Sequence, residues 1–127
     1  MSIQFQFDAE AGILFAKADG LVSFEEVVRH LDEERRQKYL GKPELFDAVA
    51  ASTEVSPNET RDIVGQLREL MYEHRLGPTA VVTRNPVFFG MSRMLGIISE
   101  LEGGPEFFVS ENFDEAVKWL RFRARSR

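Results

Sequence analysis

Cysteine is absent from the 127-residue chain. That excludes disulfides, thiolate metal sites and a cysteine nucleophile, and it suits a reducing, cytoplasmic setting. Histidine is scarce. His30 and His74 stand in no HExxH or other ligand spacing, and no GxSxG, Walker loop or dinucleotide fingerprint occurs. His30 reads as solvated, off the apolar stripe of its helix. His74 reads as a helix C-terminal residue, where positive charge is favoured. The inventory therefore points away from catalysis, and no cofactor or metal is expected. Long apolar runs are also missing, so no transmembrane segment is expected. The opening MSIQFQFDAE lacks the basic and apolar regions of a signal peptide.

Basic charge is in short supply outside one place. The net charge is −5, yet the last ten residues, KWLRFRARSR, hold five basic groups and no acid. The remainder carries 11 basic against 21 acidic residues, or −10. An acidic body does not suit nucleic acid. The basic tail at 121–127 sets Arg121, Arg123, Arg125 and Arg127 against Phe122, Ala124 and Ser126. It complements a helix C-terminus, or it meets an anionic partner or the acidic body of a second chain.

What is present reads as one domain over 1–127, 43% hydrophobic and 29% charged. IQFQFD alternates as a half-exposed strand. DAEAG is a hairpin loop, with Gly12 free to take positive φ, and ILFAKA returns antiparallel. Ser23 and Glu26 form a capping box ahead of the stripe Phe24, Val27, Val28, Leu31. The stripe then fades into the acid run Asp32-Glu33-Glu34, read as the wet face of a helical end, and Gly41 and Pro43 stop it. ELFDAVAA is a short strand. In EVSPNETRDIV, Ser56 is an N-cap, Pro57 the first helical residue and Glu59 the capping-box partner. That helix runs to Leu76-Gly77-Pro78. TAVVT is a strand, PVFFGMSRMLGIISEL a helix opened by Asn85, EFFVS a strand, and FDEAVKWLRF a helix capped by Asn112. The order β-β-α-β-α-β-α-β-α predicts an α/β fold with a single mixed, mostly parallel sheet.

Three local features, DGLVSFEE, LFDAVAASTEVSPNETRDIV and FFVSENFDEAVKWL, taken with this element order, resemble the STAS fold of anti-sigma-factor antagonists. They also resemble small bacterial STAS-like proteins related to CRAL-TRIO lipid-transfer domains. The likeness covers nearly the whole chain. It implies a regulatory, protein-interaction module rather than an enzyme. In that family the serine opening the helix after the third strand is phosphorylated, within a motif like Asp-Ser-Ser-Gly. Here Val55-Ser56-Pro57-Asn58 keeps the serine and lacks the flanking pattern.

Ser56 is thus both a helix cap and a candidate phosphoacceptor, with Ser52 and Thr53 beside it. A phosphate there meets the positive end of a helix dipole. The loops after the third, fourth and fifth strands should share the carboxyl edge of the sheet, where ligands favour open α/β folds. Arg84, Asn85 and Asn112 are the candidate anion- or partner-binding residues on it. The helix from Pro86 carries a core stripe of Phe88, Met91, Leu95 and Ile98, widened by Val87, Met94, Ile97 and Leu101 beyond the ~100° a surface helix needs. The extra strip either packs on neighbouring helices or makes an interface. Met94, Ile97 and Leu101 are its candidate residues, for a protein partner or a homo-oligomer. The alternative function is binding of a small anionic or apolar, lipid-like ligand.

Overall fold

A computed structural model describes residues 3–125, the side chain of Arg125 excepted. Ser126 and Arg127, part of the basic tail, lie outside the described residues, as do Met1 and Ser2. The elements are β1 (Ile3–Asp8), β2 (Ile13–Val22), α1 (Phe24–Arg36), β3 (Glu44–Thr53), α2 (Pro57–Met71), β4 (Thr79–Val82), α3 (Pro86–Leu101), β5 (Phe107–Ser110) and α4 (Phe113–Arg125). One sheet holds the strands in chain order, β1-β2-β3-β4-β5. β1 and β2 pair antiparallel, and every later neighbour is parallel. Gly12 closes the hairpin at φ +69°, donating its N–H to the Asp8 carbonyl oxygen.

Strand alternation sorts two cores. Phe46, Ala48, Val81 and Val109 face α1 and α3, where Phe88 and Val27 meet them. Leu45, Ala80 and Val82 face the other way, onto Ala116 and Leu120 of α4. The crossover helices α1, α2 and α3 belong to one face because right-handed β-α-β connections between sequential neighbours all return on the same side. α4 has no strand to return to, so it is free to cover the other face. Phe108 and Trp119 stack there, with ring centroids 5.2 Å apart.

β2 and α2 differ most from expectation in length. β2 does not stop at Ala18 but runs to Val22, because Asp19–Val22 pair in parallel with Ala50–Thr53 past a bulge. α2 ends at Met71 rather than near Leu76. Its chain is then drawn across to α1's exit, where the Gly77 N–H donates to the Leu40 carbonyl oxygen.

In α3, the two glycines do different things. A Cβ at Gly96 would meet the Phe107 Cβ at 3.0 Å, so glycine lets α3 approach β5 closely. A Cβ at exposed Gly90 would meet nothing within 4 Å. Gly90→Ala should therefore stabilise the fold by up to ~1 kcal/mol through helix propensity alone. Gly96→Ala should lose that gain to overlap with Phe107. Urea denaturation of the two variants checks this, and equal gains would contradict the packing described.

Candidate functional site

α1 begins as expected, with Ser23 and Glu26 in a reciprocal capping box. Its buried face then continues past Leu31. Val27, His30, Leu31 and Glu34 follow at spacings of three and four, so they share one face. That face lies over the start of β3, and His30 and Glu34 line a cavity there. The reading of His30 as solvated and of Glu34 as part of a wet face is corrected. His30 is 7% exposed and Glu34 4%. The partner that brings both inside is Glu44, the first residue of β3, at 6% exposed. Alternation places Glu44 on the same sheet face as Phe46 and Ala48.

His30 Nε2 lies 2.7 Å from Glu44 Oε2 and 2.8 Å from Glu34 Oε1. The rings of Phe5 and Phe46 meet the imidazole edge-on, at centroid distances of 5.4 and 5.6 Å. Burial alone disfavours the charged imidazole. The Glu44 carboxylate outweighs burial with help from Glu34, and the His30 pKa rises to about 10. Burial, joined by the negative charge of Glu44, pushes Glu34 up to about 8. Burial also opposes ionisation of Glu44, but the His30 charge prevails and its pKa falls below the ordinary value. At neutral pH the cluster is thus an imidazolium, one carboxylate and one neutral carboxyl, without net charge.

These three side chains form part of the wall of a cavity of about 100 Å³ between the sheet and α1, α2 and α3. Leu31, Leu67, Met91 and Leu95 give it an apolar body, and Lys42, Thr79 and Ser92 add polar groups. Leu40, Gly77 and Pro105, which lie just ahead of β3, β4 and β5, also line it. The cavity therefore reaches the amino edge of the parallel strands, opposite the edge anticipated from the sequence. An engineered apolar cavity of about 150 Å³ holds benzene. This one is smaller.

The residues singled out from the sequence lie elsewhere. Ser56 caps α2, accepting from the Glu59 N–H at 3.1 Å, while Glu59 Oε1 accepts from the Ser56 N–H at 3.0 Å. Ser52 and Thr53 lie in β3 rather than in a loop. Thr53 is buried, and its hydroxyl donates to the Val22 carbonyl oxygen, which does not suit a phosphoacceptor. Asn85 accepts from the Phe88 N–H at 2.9 Å, and Asn112 from the Glu115 N–H at 2.9 Å. Both spend their side-chain oxygens on their own helices. Arg84 is exposed and pairs with no acid among the described residues. Ser56, Arg84, Asn85 and Asn112 follow β3, β4 and β5 and so share the carboxyl edge.

The extra strip of α3 splits. Met94 is partly buried. Val87, Ile97 and Leu101 are 57%, 53% and 81% exposed, so they do not pack on neighbouring helices. In the tail, Arg121 and Phe122 are exposed, while Arg123 lies over the Trp119 ring and 3.4 Å from Glu106.

A solved structure from Shewanella loihica PV-4 has the same architecture. It is an uncharacterised protein from the DUF3478 family with a SpoIIAA-like fold. The TM-score is 0.56 at 18% identity, over 93% of this chain and 91% of that one. This chain has a SpoIIAA-like, STAS-like fold. No protein-family model matches the sequence, and no curated protein does. No described helix of the SpoIIAA-like domain is long and apolar enough to cross a membrane.

The cluster makes stability depend on pH in a defined direction. Glu34 and His30 hold protons more tightly folded than unfolded. Their contributions are complete below the ordinary values of 4.5 and 6.5, and they are lost as pH rises through about 8 and about 10. Glu44 acts oppositely, contributing above 4.5 and losing that contribution in acid. The urea midpoint should therefore fall between pH 4.5 and 10. Glu34→Gln should flatten the part of that fall below pH 8 and keep the part above it. Identical pH profiles for the two proteins would contradict the assignment.

Proposed function

We propose that the chain is a non-catalytic binding module that takes a small, compact, mostly apolar molecule in the cavity beneath α1, α2 and α3. The observation that carries this is the cavity itself, apolar over most of its surface and polar where His30, Glu34 and Glu44 meet it. Ligand sites are commonly apolar pockets with a few convergent polar groups. The volume, about 100 Å³, suits on the order of four or five non-hydrogen atoms. Glu34 Oε1 is buried without a hydrogen-bond partner, so the fitting polar group is a donor such as a hydroxyl or a primary amide. A free anion is a poor match, because it would add charge to a neutral buried cluster.

Ligand-observed NMR with short alcohols and amides tests this. Saturation transfer to a four- or five-carbon alcohol or amide is expected in the wild type. It should be absent in Leu95→Trp, which fills the cavity. Transfer of equal strength in both proteins, or in neither, would remove the reading.

A second reading, docking to a protein, is supported by the exposed apolar strip of α3 and by the STAS-like fold. Its simplest form is a second copy of this chain, joined through Ile97 and Leu101. Phosphorylation at Ser56 is a separate proposal within this reading, since the capped helix start tolerates added negative charge. Sedimentation over a range of concentrations should then show association that Ile97→Glu abolishes. A monomer at every concentration would leave the strip without that role.

A further inference from the structure

One hydrogen cannot serve both acids that meet His30 Nε2. His30 Nε2 carries at most one, and two carboxylate oxygens lie within 2.8 Å of it. The contact to Glu44 has hydrogen-bond geometry. Glu34 Oε1 and His30 Nδ1 remain buried without hydrogen-bond partners. A cation differs from a proton here, since it accepts lone pairs from several atoms at once.

We infer that His30 Nε2, Glu34 and Glu44 form a three-ligand site for a divalent transition-metal cation, with a fourth position open to the cavity. The ligand atoms all lie within 4.8 Å of one another, and all three residues are buried. In tetrahedral zinc sites with bonds of about 2.0–2.1 Å, neighbouring ligand atoms stand roughly 3.3 Å apart. The present separations of 2.7 and 2.8 Å reach that with small side-chain shifts. His30 and Glu34 are one turn apart on α1, and Glu44 comes from β3, so two rigid elements hold the set. Two carboxylates balance a divalent charge, which suits a site of buried residues.

The donor set selects the metal class. One imidazole nitrogen and two carboxylate oxygens suit zinc, cobalt(II), iron(II) or manganese(II). Calcium requires more oxygen ligands, and magnesium keeps several waters. Three protein ligands with an open position is the arrangement of zinc sites that bind an exogenous molecule. The His30 ring is braced by Phe5 and Phe46 rather than by a hydrogen bond at Nδ1. Such bonds strengthen metal sites by about 10–100-fold, so the affinity expected is micromolar rather than nanomolar.

Cobalt(II) titrated into chelator-treated protein is the test, and it does not depend on any organic ligand entering the cavity. A visible d–d band should saturate at one equivalent, and zinc should bleach it. Zinc should also raise the thermal midpoint. Glu34→Gln should weaken cobalt binding at least tenfold, while His74→Ala, which removes the exposed histidine, should leave it unchanged. Absence of the band would overturn the inference, as would equal affinity in Glu34→Gln. If Glu34→Gln does not fold, the imidazole proton resonances of the wild type decide the matter. Cobalt should shift and broaden those of His30; an effect confined to His74 would overturn the site.

Discussion

A charged group at the start of a central strand cannot be left alone in a protein interior. Glu44 opens β3 on the inward face of the sheet, and β3 has neighbours on both sides. Its carboxylate must be answered from above, and His30 of α1 answers it. The contact between His30 Nε2 and Glu44 Oε2 therefore fixes how α1 is rotated and how far it is advanced along β3. Apolar packing of Val27 and Leu31 tolerates some sliding. A 2.7 Å buried ion pair does not, because removing one partner leaves an uncompensated charge.

Fixing α1 this way has a consequence for its next turn. Glu34 must follow His30 inward, since residues four apart share a face. The space that Glu34 borders is one a leucine in its place would help fill. Burial holds its proton instead, and Glu34 lines the cavity. The cavity and the unusual titration are two results of one placement. α4 takes no part, since it covers the opposite face. The buried cluster of His30, Glu34 and Glu44 thus lies on the side roofed by the three crossover helices.

Much of the fold was legible in local patterns. Capping boxes at Ser23 and Ser56, the asparagines before α3 and α4, and the alternation in β1 each name an element without tertiary information. The order of elements then leaves few topologies, because parallel crossovers are right-handed. The site was less legible for a physical reason. A helix stripe is recognised by its apolar residues, and after Leu31 the inward face carries His30 and Glu34 instead. Their spacing is the same as that of the apolar stripe, so Val27-His30-Leu31-Glu34 was available as a signal. Its meaning depended on Glu44, ten residues further along and in another element. A polar residue opening the apolar strand ELFDAVAA was the remaining hint. The lengths of β2 and α2 were hidden for a similar reason, since both are set by partners across the sheet and at Leu40.

The two edges of the sheet have come to do different work. At the carboxyl edge, where open α/β folds usually bind ligands, Ser56, Asn85 and Asn112 turn their side-chain oxygens onto their own helices. Some of the N–H groups that would greet an anion there are already engaged. At the amino edge the chain instead crosses from α1 to β3 and from α2 to β4, and the backbone tie from Gly77 to Leu40 draws these crossings together. That tie closes the floor under α1 without filling it. A fold-level rule about where ligands sit presumes vacant helix ends. Where local caps occupy them, the proposed ligand is left with the cavity beside the buried charge of His30, Glu34 and Glu44.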